Sequence, residues 1–210
     1  MAVDEADWRA AIMGSLGSAW RRPRPARTYY ADPERGLNGT VDPEQRHQGL
    51  RPLLADALNG SVLDLGCAEG LVAELFLDAG ARHVLGIDIH EARIDHARRL
   101  FGDDPRVAFA QGDIGDWNRF QERAALQPSY DIVLFMGVYG KLPAATRHLA
   151  LIGALARCER WLAFRAPRSL ADEAHALALA SGFSRELHSR GTGSGQLSLF
   201  RRRLRHGAPE

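Results

Sequence analysis

The 210 residues are 45% hydrophobic and 25% charged, and 27 basic against 26 acidic residues leave a formal net charge of +1. That length suits one domain with an appendage and can bury a core. The near-neutral balance argues against a chain built to coat nucleic acid or an anionic membrane. Cys67 and Cys158 alone make neither a disulfide scaffold nor a zinc site, and no apolar run is long enough to span a bilayer. The acidic start, MAVDEADWRAAIMGS, lacks the bases of a secretory signal, so a soluble cytoplasmic protein is expected.

In chain order, residues 1–60 hold five of the ten prolines and form an N-terminal helical appendage. Trp8, Ile12, Leu16 and Trp20 recur every four residues, which predicts a helix near Asp4 to Trp20. A basic, turn-rich connection follows, with Arg21, Arg22, Arg24 and Arg27 flanked by Trp20, Tyr29 and Tyr30. A second helix is predicted from Pro43 to Leu58, with Asp42 as N-cap and Gly60 beyond its end.

From Ser61 the rhythm changes. Strand patterns SVLDLGC, HVLGIDI, RVAFAQGD, YDIVLFMGV and WLAFRAP are each followed by a helical pattern: GLVAELFLDAG, EARIDHARRLF, WNRFQERAALQ, ATRHLALIGALARC and LADEAHALALASG. FSRELHSR and QLSLFRRRL then form two strands joined by GTGSG. The expected core, 61–205, is therefore a doubly wound α/β sheet, parallel except at its closing hairpin, with 206–210 as a tail. Arg201, Arg202, Arg203 and Arg205 make a second basic group. Alternation along a strand splits such a group between two faces.

VLDLGCAEG is the informative segment. A strand delivers Asp64, then Gly66 and Gly70 bracket a tight turn into a helix, whose free N–H groups favour an anion or polar ligand. The spacing G-x-x-x-G is not the G-x-G-x-x-G of dinucleotide folds, which argues against a dehydrogenase. Asp88 ends the second strand, eighteen residues past Gly70, where an acid can take both hydroxyls of a ribose or cap the next helix. Ile89 offers an apolar surface for adenine. Past the third strand, Asp113 accepts from an exocyclic amine or serves as a turn acid, and the Ile114 N–H faces the ring.

VLDLGCAEG, GIDIH, QGD and YDIVLFMGV, in this order and over about residues 50–203, resemble the motif series of class I S-adenosylmethionine-dependent methyltransferases. The resemblance implies a seven-stranded sheet of order 3-2-1-4-5-7-6 with the last strand antiparallel. It implies S-adenosylmethionine as cofactor, with Asp64, Gly66, Cys67, Ala68 and Gly70 around its methionine part. Asp88 would then hold the ribose, Ile89, Asp113 and Ile114 would frame the adenine, and Phe135, Met136 and Gly137 would face the sulfonium. Many relatives carry Gly where Ala68 stands. The amine-methylating Asn-Pro-Pro-Tyr motif is missing after strand four, as is the Pro-Cys pair of cytosine C5 enzymes, and no residues argue for a metal.

MGVYGKLP after strand four lies at the mouth of the expected cleft. Lys141, the sole lysine, is there a candidate base or a contact for an acidic substrate, and otherwise a solvated surface residue. Tyr139 is a candidate to position an acceptor hydroxyl, or a packing residue. His90 lines the cofactor site or opens a helix; His96, His148 and His175 are expected on exposed helix faces. Substrate recognition is expected from the N-terminal zone. The first expectation is methyl transfer to a small or conjugated metabolite at oxygen. An RNA enzyme is the alternative, because VDPEQRHQGLRPLLADAL and FMGVYGK are similar to enzymes that alkylate the tRNA wobble uridine. A non-catalytic S-adenosylmethionine-binding protein is the third.

Overall fold

The computed structural model describes residues 28–117, 126–189 and 195–203. The helix expected near Asp4 to Trp20, the arginines at 21–27, the helix expected within 117–127, the GTGSG turn and Arg205 fall wholly or mostly outside them. A small antiparallel ribbon, β1 (Ala31–Asp32) and β2 (Leu37–Asn38), opens the described chain. Helices α1 (Pro43–His47) and α2 (Arg51–Ala57) follow. The core then runs β3 (Ser61–Leu65), α3 (Leu71–Asp78), β4 (His83–Asp88), α4 (Glu91–Phe101), β5 (Val107–Gln111) and β6 (Tyr130–Met136). It closes with α5 (Ala144–Ala156), β7 (Cys158–Ala166), α6 (Arg168–Ala180), β8 (Phe183–Ser189) and β9 (Gln196–Arg202).

The seven core strands lie in the order β5-β4-β3-β6-β7-β9-β8. Counted from β3, that is 3-2-1-4-5-7-6. β3, β4, β5, β6 and β7 pair in parallel, and β9 runs antiparallel between β7 and β8. Among the described residues, no helix is long and apolar enough to cross a membrane.

Alternation along the strands splits the core in two. Val62, Ile132, Leu134 and Met136 face α3, α4 and the N-terminal helices, burying Leu53, Phe76 and Ile94. Leu63, Leu65, Val133 and Phe135 face α5 and α6, burying Leu151, Ala154 and Ala174. His175, expected to be exposed, belongs to this buried side: it sits between Ser198 Oγ at 2.9 Å and the Arg185 guanidinium at 3.3 Å.

The helix expected over Pro43–Leu58 is two helices. Asp42 does cap the first, its Oδ1 accepting from the Glu44 amide at 2.9 Å. Gly49 then adopts φ +81°, where a Cβ would collide with Leu197 Cδ2, and Pro52 lacks the N–H an unbroken helix needs. The end of α1 is closed from the sheet: Arg165 of β7 donates to the Gln45 and Gln48 carbonyls at 3.0 and 2.8 Å. That cap holds Arg46 over the carboxyl ends of β3 and β6.

Candidate functional site

At those carboxyl ends lies a cavity of about 370 Å³, within the range of small-molecule sites. It occupies the switch point where the chain leaves β3 for β4 on one side and β6 on the other, the place open α/β sheets present to ligands.

The loop after β3 forms its floor. Gly66 and Cys67 donate to the Ile87 carbonyl at 2.7 and 2.9 Å, tying the first loop to the second strand. Gly70 caps α3 at φ +83°, and a Cβ there would stand 2.6 Å from Phe109 Cζ, so glycine is required twice over. Ala68 takes the left-handed φ of +51°. Its amide is held by Asp88, whose Oδ2 accepts from it at 3.0 Å while Oδ1 accepts from His90 at 2.9 Å.

Asp64 is buried, and its Oδ2 lines the cavity without a hydrogen-bond partner among the described residues. Desolvation, then the Asp88 charge, push its carboxyl up to about 7, with Arg46 pulling the other way. Arg46, 7% exposed, likewise has Nε and Nη1 unpartnered. Burial lowers its pKa and the charge of Asp64 raises it. A buried carboxyl and a buried guanidinium thus keep free hydrogen-bonding capacity in one cavity, a costly arrangement without a ligand to satisfy it.

The N-terminal segment roofs the site. Glu69, in the glycine loop and wholly buried, accepts from the backbone amides of Tyr29 at 2.8 Å and Tyr30 at 3.2 Å. The Tyr29 ring then meets three cations: Lys141 Nζ at 5.0 Å, Arg46 at 5.1 Å and Arg93 at 5.4 Å from its centroid.

Of the residues singled out in the sequence, Asp64, Gly66, Ala68, Asp88, Ile89, Asp113, Ile114, Met136 and Lys141 line the cavity, as do His90 and Gly137. Asp113 Oδ1 also accepts from the Gly115 amide at 2.8 Å, so the turn role and the lining position coexist. Four do not line it. The Cys67 thiol turns inward, donating to the Ala68 carbonyl at 3.6 Å, and Phe135 faces the α5–α6 core. Tyr139 is fully buried against Phe135 and Phe164, and its hydroxyl donates to Glu173 Oε1 at 3.0 Å. Burial and that bond raise its pKa, and Tyr139 is not among the residues that line the cavity. Gly70 shapes the loop from below.

Sequence reasoning missed Arg46, Glu69 and Arg93. Glu69 carried a signal, an acid inside a glycine loop; Arg46 and Arg93 read as ordinary surface positions of polar helices. Arg202, from the second basic group, donates to the Cys158 and Leu155 carbonyls at 2.6 and 2.7 Å, while Arg201 lies over the Trp161 ring on the other face. Arg201 and Arg202 are therefore split between the two faces and do not form one stripe.

Residues 62–163 match a family model described as a methyltransferase domain. No curated protein sequence matches the chain. Among solved structures, it resembles a magnesium protoporphyrin IX methyltransferase from Synechocystis PCC 6803 with bound S-adenosylmethionine, at 19% identity and a TM-score of 0.66, covering 96% of this chain and 99% of that one. It also resembles a putative RNA methyltransferase from Pyrococcus horikoshii at 14% identity, TM-score 0.63, covering 98% and 100%. The N-methyltransferase NodS from Bradyrhizobium japonicum with S-adenosylhomocysteine matches at 16% identity, TM-score 0.62, covering 76% and 86%. At these identities the likeness is one of fold.

Proposed function

The chain belongs to the class I S-adenosylmethionine-dependent methyltransferase superfamily, and from that premise we propose that it methylates a small or conjugated metabolite at oxygen. The observation that carries the reading is the pair of unpartnered buried groups in one cavity, Asp64 Oδ2 and the Arg46 guanidinium. They fit the ammonium and carboxylate of an amino-acid moiety, the end of the cofactor that carries both charges. Asp88 fits the ribose: each of its oxygens accepts one backbone amide and keeps a lone pair for a hydroxyl. Ile89, 55% exposed, and Ile114 offer apolar surface to the adenine, beside Asp113.

When bound, S-adenosylmethionine supplies a methyl on a sulfonium: the acceptor oxygen's lone pair forms the new bond while the carbon–sulfur pair leaves on sulfur. The chain's own contribution is alignment and exclusion of water. Glu69 holds Tyr29 and Tyr30 over the cavity, and Met136 and Gly137 end β6 at its wall. An oxygen acceptor is favoured by charge. Asp64 and Asp88 are engaged, Asp113 bonds Gly115, and Lys141 beside Tyr29, which makes no ion pair among the described residues, is a cation that repels a protonated amine. An acceptor hydroxyl acidic enough to ionise in solution enters as its oxyanion and brings no proton to be removed in the cavity. A small acceptor is supported by the volume of the cavity, about 370 Å³, under the roof of Tyr29 and Tyr30.

Mass spectrometry of cell extract incubated with the protein and isotopically labelled S-adenosylmethionine tests this. The label is expected in an O-methylated small molecule. Label on nitrogen overturns the acceptor atom, label in tRNA supports the RNA alternative instead, and binding of S-adenosylhomocysteine without any transfer supports a non-catalytic binder.

A further inference from the structure

Lys141 is the sole lysine of the chain, and it is placed against the one aromatic ring that also gathers Arg46 and Arg93. The three cations are unequally compensated. Arg93 lies 3.9 Å from both Glu69 Oε1 and Asp88 Oδ2. Arg46 feels the buried Asp64 charge and, on the reading above, takes the cofactor's carboxylate. Lys141 makes no ion pair among the described residues; its recorded partner is the Tyr29 ring face. Burial, then the nearby Arg93 and Arg46 charges, lower its pKa, while the Asp88 charge acts the other way.

The bound donor sharpens the imbalance, because its sulfonium adds another positive charge to the same cavity. A cationic acceptor would enter against that field, and a neutral one would leave Lys141 uncompensated. An anion is attracted by both. Leu142 and Pro143 line the wall beside Lys141, so the remainder of such a molecule meets apolar surface.

We propose that the acceptor is a small molecule bearing a carboxylate or phosphate, and that this group docks on the Lys141 ammonium beside the Tyr29 ring. The proposal rests on the methyltransferase reading of the cavity. Lys141 serves here as a docking charge. An arginine in its place keeps that charge and cannot act as a base.

The test titrates benzoate, phenyl phosphate and citrate, against benzamide, benzyl alcohol and benzylamine, into protein saturated with S-adenosylhomocysteine. At least one anion is expected to bind about tenfold more tightly than its uncharged counterpart. Lys141→Met is expected to abolish that preference and Lys141→Arg to retain it, each protein being saturated with S-adenosylhomocysteine at its own measured affinity. Anions that bind no better than the neutral compounds overturn the proposal, as does a preference that survives Lys141→Met or is lost equally in Lys141→Arg. Salt-sensitive binding of bulk tRNA in place of the small anions overturns it in favour of a polyanionic acceptor. Failure of the wild type to bind S-adenosylhomocysteine is a different result: it removes the reading of the cavity, and this inference with it.

Discussion

Asp88 at the tip of β4 accepts a hydrogen bond from the Ala68 amide, 3.0 Å away in the loop that follows β3. One carboxylate thus fixes a left-handed residue of the neighbouring loop and faces the cavity with its remaining lone pairs. The side chain that reads the ligand also holds the loop that surrounds it.

Asp88→Ala should therefore cost more than a lost ligand contact. It also frees the buried Ala68 amide, worth about 1–3 kcal/mol when left unpaired, and the His90 amide, which water can reach. We expect S-adenosylhomocysteine affinity to fall at least about a hundredfold by calorimetry. A loss of threefold or less would remove Asp88 from the site.

Asp64 gives a pH signature with a definite sign. Its folded pKa of about 7 lies above the ordinary 3.8, so between those values the folded protein holds a proton the unfolded chain has released. Stability therefore falls as pH rises through this window. Ligand-free Asp64→Asn should melt higher than wild type above about pH 7, with the difference shrinking on acidification, yet bind S-adenosylhomocysteine at least about tenfold more weakly. Scanning calorimetry with and without ligand checks both halves; a variant less stable than wild type at alkaline pH contradicts the burial argument.

Glu69→Gln should loosen the roof. The amide offers one acceptor oxygen where the carboxylate offered two, leaving the Tyr29 or Tyr30 amide facing an NH₂ donor. Hydrogen exchange at those two amides should accelerate, and S-adenosylhomocysteine should dissociate faster, with a stability loss of about 1–3 kcal/mol. Unchanged protection would mean that other contacts hold the segment down.

Tyr139→Phe separates packing from chemistry. The hydroxyl meets Glu173, so its removal should cost about 1 kcal/mol of stability and leave turnover within about threefold of wild type. A drop of orders of magnitude in kcat at unchanged KM would restore Tyr139 to the reacting centre.

The chain's local code was plain where a single strand or turn decides the outcome. Asp64, Gly66 and Gly70 had to sit together because five residues of loop allow nothing else, and alternating strands and helices made a parallel sheet. Local periodicity also misled. It ran one helix through Gly49, where the approach of Leu197 from a distant strand imposes a break, and it put His175 in solvent, where Ser198 of β9 buries it.

The amino-acid order by itself determined the fold class and the bent loop with its acid, since these follow from spacing and from the conformations glycine permits; the strand order was implied by the resemblance of its motifs to a known family. Tertiary structure alone decided which charges meet. Arg46, Glu69, Arg93 and Lys141 come from four separate segments, and nothing in their own neighbourhoods distinguishes three of them from solvated residues. Their chemistry comes from burial beside Asp64, Asp88 and Tyr29, because desolvation and proximity set the strength of a charge, and a sequence records neither.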